Sequence, residues 1–135
     1  MNKLSLYNEL LDIFEFKTIH DKVGNELVIY KNSSSGIFDG TVIEDKTAFE
    51  ALDNHFHLID NIRSYDKQAL VEFGEKIGRL LIDRLSFSFP DKHFIVFVTI
   101  TDSMIIRFHQ KWENEPYYYC GENSDENEYM ISFDN

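Results

Sequence analysis

Cysteine is almost absent: Cys120 stands alone in 135 residues. That excludes an intramolecular disulfide and a cysteine-built zinc site. Proline occurs only twice, and no linker is long enough to split the chain, so one domain spanning residues 1–135 is expected. Long hydrophobic runs are missing as well. The most apolar stretch, Phe94–Ile100, falls far short of the ~20 residues of a membrane-spanning helix. Cations are scarce, with Lys and Arg totalling 13 against 24 Asp and Glu, a net charge of -11. That balance argues against a nucleic-acid binder, which must neutralise phosphates. It argues equally against docking on an anionic membrane. Residues 1–15 carry Glu9, Asp12 and Glu15 where a signal peptide needs an uncharged apolar stretch. Together with the single thiol this predicts a cytoplasmic protein. No GxSxG, Walker-type or H-E-x-x-H pattern occurs, so no cofactor or metal is expected.

What the chain has is apolar and aromatic mass, 43% and 15%. A chain of this length buries roughly two-thirds of its unfolded surface, enough for a real core. Leu4, Tyr7, Leu10, Leu11 and Phe14 recur at helical spacing and predict an amphipathic helix over residues 3–15. Leu27, Val28, Ile29 and Tyr30 form a β-prone run, and Thr41, Val42 and Ile43 a second, with turn-rich sequence between them. Thr47 followed by Glu50 reads as a capping box opening a helix over residues 48–56. Residues 57–65 fit either a loop or an irregular helix.

The clearest element is a helix over residues 66–85, with Leu70, Phe73, Ile77, Leu80 and Leu81 on one stripe. Gly74 and Gly78 lie on its flank, each costing about 1 kcal/mol relative to Ala. They predict close approach of another backbone there. Phe94–Ile100 is apolar on both faces and reads as a central strand. Met104–Gln110 follows after a turn at Thr101, Asp102 and Ser103, and the two should form a hairpin. Ile105, Arg107 and His109 share one face of the second strand. The expected fold is α+β, a mostly antiparallel sheet with helices packed on one face.

Three clusters carry candidate chemistry. His55 and His57 would share a face of a strand, as metal ligands do, but lie ~200° apart in a helix. No second ligand pair supports them, and two surface histidines at a helix end is the simpler reading. Arg107, His109 and Trp112, with Glu113 and Glu115, are the densest group of functional side chains. A His109 pair with Glu113 or Glu115 suits a general base, but no nucleophile or phosphate cradle accompanies it. Hydrogen bonding at a hairpin end, with Trp112 over the sheet edge, is the competing account. Tyr117, Tyr118 and Tyr119 precede a cation-free stretch holding Glu122, Asp125, Glu126 and Glu128. Exposed tyrosine beside carboxylates suits a basic protein partner, the rings giving contact area and the charges steering. An edge strand ending in a solvated tail is the competing account. Cys120 lacks the electropositive setting that makes a thiolate.

Phe89-Pro90, the strand Phe94–Ile100, the run from Ile106 to Gln110, and Glu115-Pro116-Tyr117-Tyr118 together resemble small acidic immunity proteins of bacterial polymorphic toxin systems. The resemblance covers the last third of the chain. It implies a stoichiometric inhibitor of a toxin domain and carries over no catalytic residue.

Overall fold

The longest helix is set by its caps and its apolar stripe. In the computed structural model, which describes residues 3–33, 41–118 and 129–135, this helix spans Lys67–Ser88. Asp66 starts it by accepting a hydrogen bond from the Ala69 N–H at 3.2 Å. We number it α3, after α1 (Lys3–Leu11) and α2 (Lys46–Asp53). The strands are β1 (Phe16–His20), β2 (Glu26–Tyr30), β3 (His55–Ile59), β4 (Phe94–Ile100), β5 (Met104–Gln110) and β6 (Tyr129–Asp134). The fold is α+β, with two antiparallel sheets: a β1–β2 hairpin, and four strands in the order β3-β5-β4-β6.

β4 is central and every one of its residues is buried, as its two apolar faces predict. It pairs with β5 in the predicted hairpin, from Phe94 opposite Gln110 to Ile100 opposite Met104. α3 crosses the sheet face formed by Val96, Val98, Met104, Ile106 and Phe108. Its buried stripe runs Leu70, Gly74, Ile77, Gly78, Leu81, Ile82 and Leu85. Leu80 is exposed rather than on the stripe. The glycines do mark a close approach, but side chains fill it, not backbone. A Cβ on Gly78 would overlap the Phe133 ring of β6, and one on Gly74 would sit 3.2 Å from Val98 Cγ1.

Several expectations are corrected. Thr41, Val42 and Ile43 form no strand; β2 pairs instead with β1, from Phe16 opposite Tyr30 to His20 opposite Glu26. Ile43 is held by Asp21, which is buried and accepts from the N–H groups of Val23, Asn25 and Ile43. Helix α1 gives way at Asp12–Phe14 to a 3-10 turn. Leu4, Tyr7 and Leu11 of its stripe stay exposed, and Leu10, Ile13 and Phe14 reach the core. The helix predicted to reach residue 56 ends at Asp53, and residues 55–59 are a strand. Alternate residues of β2 serve two cores: Val28 and Tyr30 face α3, while Leu27 and Ile29 join Ile19, Ile43, Phe49 and Trp112. That double duty explains the unbroken apolar run in β2.

Candidate functional site

Two buried side chains, Glu50 of α2 and Asn54 at its C-terminal cap, join the sheets. β3 covers β5 only from Met104 to Arg107. Beyond that, Glu50 and Asn54, one helical turn apart, take the edge of β5 on one side and β2 on the other. Asn54 accepts from the Tyr30 N–H and donates to the Val28 and Phe108 carbonyls. Glu50 is fully buried. Its Oε1 accepts from Gln110 N (2.9 Å) and Trp112 Nε1 (2.6 Å), its Oε2 from Val28 N (2.8 Å) and Gln110 Nε2 (2.8 Å). Burial pushes the Glu50 carboxyl above its usual range, against the pull of these bonds. None of the four groups can accept a hydrogen bond as placed, so the geometry is that of a carboxylate. The capping role read for Thr47 and Glu50 therefore belongs elsewhere. Asp45 is the cap, accepting from the Ala48 N–H at 2.9 Å.

Trp112 sets the direction of the chain leaving β5. Asn114 then takes a left-handed conformation, φ 66°, which Asn tolerates better than most residues. This returns Glu115 to the start of α2. Its Oε1 accepts from the Thr47 N–H at 2.7 Å and its Oε2 from the Lys46 N–H at 3.3 Å, while Lys46 Nζ lies 2.9 Å away. Burial works to raise this carboxyl, but the Lys46 ammonium and the Thr47 N–H hold it below its usual range. A carboxylate on free N–H groups at a helix start is also favoured by the helix dipole. Glu115 is thus spent on α2, and Glu113 is exposed.

His109 is fully buried. Its Nδ1 lies 2.7 Å from the Gln110 carbonyl and its Nε2 accepts from the Tyr118 N–H at 3.3 Å. These partners assign the neutral ring with its proton on Nδ1. Burial pushes its pKa below 6.5, opposed by the Gln110 bond and by Glu115 and Asp45. Phe97 and Tyr117 flank the ring at 5.5 and 6.0 Å between centroids. The His-carboxylate pair weighed from the sequence is therefore not formed: both nitrogens of His109 and both oxygens of Glu115 are bonded elsewhere, and Glu113 is exposed.

Of the residues proposed to meet a partner, the structure gathers Arg107, His109, Tyr117 and Tyr118 on one sheet face. Arg107 donates to the Ala51 carbonyl at 2.9 Å and stacks on the Tyr118 ring. Trp112 is part-buried, its N–H on Glu50 and its ring under Lys46. Tyr117 is 42% exposed. Glu122, Asp125, Glu126 and Glu128, with Tyr119 and Cys120, lie outside the described residues. Tyr117 and Tyr118 are not in a strand; β6, at Tyr129–Asp134, is an edge of the four-stranded sheet. His55 and His57 do share a strand face, with ring centres 5.5 Å apart, rather than a helix end. His55 bonds the Leu52 carbonyl and His57 pairs with Asp60. Among the described residues no group of three or more His, Cys, Asp or Glu is placed to hold a metal, and no helix is long and apolar enough to cross a membrane.

Sequence reasoning missed Glu50, Asn54 and Gln110. The available signal was a Glu and an Asn one turn apart, on the side of a short helix that also carries Thr47 and Ala51. No family model matches the chain, and no curated protein or solved structure matches it.

Proposed function

We propose that this chain is a stoichiometric protein-binding inhibitor of the immunity type, and not an enzyme, which neutralises a basic bacterial toxin domain in the cytoplasm of the producing cell. One observation carries the reading. Both nitrogens of His109 and both oxygens of Glu115 are occupied: His109 Nδ1 by the Gln110 carbonyl, His109 Nε2 by the Tyr118 N–H, and Glu115 by the Lys46 and Thr47 N–H groups of α2, so residues 112–118 are tied to β5 and to α2. The most reactive cluster in the sequence thereby serves as a scaffold that presents Tyr117. A rigid, half-exposed aromatic ring loses little entropy on binding and makes a good anchor. The surplus of acidic residues gives a field that steers a basic partner. A small hydrolase, by contrast, needs an imidazole with a free nitrogen facing a cavity.

The test begins with affinity capture from the native cell and identification of the bound protein, followed by binding kinetics on the purified pair at two salt concentrations. The expected complex is 1:1, inhibits the partner, and associates more slowly as salt rises. Tyr117→Ala should speed dissociation by about tenfold or more, the scale of an aromatic anchor. Replacing Glu122, Asp125, Glu126 and Glu128 with their amides should slow association instead. A captured protein whose activity is untouched, or binding indifferent to both variants, overturns the proposal.

A further inference from the structure

β6 is an edge of the four-stranded sheet, and among the described residues nothing pairs with its outer side. Sheet edges in monomers are blunted by bulges, lysines, prolines or cover. The opposite edge is blunted in this way: β3 shifts register between His57 and Ile59, and Glu50 and Asn54 take up β5 beyond it. β6 has none of these devices. It runs along β4 without a register shift, holds no Lys, Arg, Gly or Pro, and leaves Tyr129 40% and Met130 39% exposed. Its one charge, Asp134, is neutralised by Lys111 at 2.8 Å. The outward backbone groups follow from the pairing. The Asn135 N–H donates to the Phe94 carbonyl, and successive residues of a strand address opposite neighbours. Ile131 and Phe133 therefore bond β4, while Met130, Ser132 and Asp134 turn N–H and C=O outward.

We propose that this edge pairs with the same edge of a second copy, β6 antiparallel to β6, about a two-fold axis at Ser132. That register matches the outward groups, Ser132 with Ser132 and Met130 with Asp134 of the second copy, for about six backbone hydrogen bonds. On the α3 face it sets Ile131 opposite Phe133, an apolar cross-strand pair. The helices fit as well. α3 runs alongside β6 in the same direction, since Gly74 lies at Ile131 and Gly78 at Phe133. With strands about 4.8 Å apart, the axis sets the two α3 helices antiparallel at about 10–14 Å. Arg79, over the Phe133 ring at 5.3 Å, and Glu75, one turn before it, stand exposed on that flank. The axis brings Glu75 of each copy within about one helical turn of Arg79 of the other, so two reciprocal ion pairs cross the seam. That charge complementarity selects a second copy over an unrelated strand. Tyr117 packs on His109, on the sheet face away from α3, so each copy keeps its Tyr117 face and the pairing is independent of the function proposed above.

Sedimentation equilibrium of the full chain tests the pairing, with far-ultraviolet dichroism to show that each variant is folded. A particle of twice 16.0 kDa is expected at micromolar concentration. Ser132→Pro removes an outward N–H that β4 does not use, and should give a folded monomer. Met130→Lys installs the charge that natural edges carry and should do the same; it keeps the test open if the proline variant folds poorly. Glu75→Arg sets like charges across the seam and should weaken the dimer about tenfold, and adding Arg79→Glu to the same chain should restore it. A particle of 16.0 kDa even at millimolar concentration overturns the proposal. So does a dimer that persists through Met130→Lys, or one that Glu75→Arg leaves unchanged.

Discussion

Replacing Glu50 with Gln keeps the shape of the side chain and removes its charge, so it weighs two opposed effects. Removing a buried charge recovers its desolvation cost, which is several kcal/mol for an ion with nothing around it. Glu50 is not such an ion, because each oxygen accepts two N–H bonds. In the amide variant one oxygen becomes an NH2 group facing two donors. The Gln110 amide can turn to accept from that NH2 group, but then it gives up the Glu26 carbonyl, to which it now donates at 3.0 Å. A backbone N–H, of Val28 or of Gln110, stays orphaned in either orientation. At about 1–3 kcal/mol for each unsatisfied buried group, the net loss should be about 2–4 kcal/mol. That is a large share of the 5–15 kcal/mol typical of a domain. Urea unfolding followed by fluorescence suits the question, since Trp112 is the sole tryptophan and bonds Glu50 directly. Coincident far-ultraviolet dichroism would show whether the junction melts with the whole. An amide variant as stable as the parent, or more stable, would refute the carboxylate reading.

Two further outcomes follow from packing and charge. Gly78→Ala gains about 1 kcal/mol of helix propensity but drives a methyl group into the Phe133 ring, and should lose about 1–2 kcal/mol net. Gly74→Ala meets only ordinary-to-tight contacts and should be closer to neutral; a reversed order in thermal unfolding would mean that β6 yields freely. Stability should also fall on acidification in two stages. Asp21, held low by its Asn25 bond, and Asp134, held low by Lys111, have folded pKa values below their usual range, as does His109 through burial. Each therefore contributes stability that is complete above its unfolded pKa and is lost as pH falls through the folded one. His109 should begin the decline below about pH 6.5 and the carboxyls continue it below about pH 4. Melting temperatures from about pH 8 to about pH 2, with His109→Gln removing the upper stage, check this; a flat profile from about pH 8 to 5 would contradict it.

The elements legible from sequence are those whose own pattern decides them. The β4–β5 hairpin follows from two runs of β-branched and aromatic residues around a turn, and α3 from its 3.6-residue period. Those that escaped depend on partners remote in the chain. β6 is a half-exposed edge strand of modest apolarity, and only its pairing with β4 defines it. β1 likewise is defined by its pairing with β2, because a five-residue run that includes Lys17 and His20 is too short to stand on its own pattern. Glu50 misled because a Glu three residues after a Thr fits a capping box equally well. Choosing between them requires knowing that Gln110 and Trp112, 60 residues on, bring donors to the same spot. The sequence leaves the tyrosines as a separate run, and it does not show that Tyr117 and Tyr118 come to lie against His109 and Arg107.

The buried junction and the proposed binding face are one structure. Glu50 anchors Trp112, Glu115 anchors α2, and His109 accepts the Tyr118 N–H. Residues 112–118 thus depend on Glu50 and His109, both fully buried, and on the bonds of their own Glu115 to α2. A change at Glu50 should loosen this segment and weaken partner binding by allowing Tyr117 more freedom before it is captured. Ordering a side chain on binding costs on the order of 0.5–1.5 kcal/mol, so the effect should be a few-fold in affinity, well below that of removing the ring. Measured together, the variants at Glu50 and at Tyr117 separate pre-organisation from contact. A Glu50 variant that stays folded yet weakens binding as much as Tyr117→Ala would move the anchor from the tyrosine to the junction.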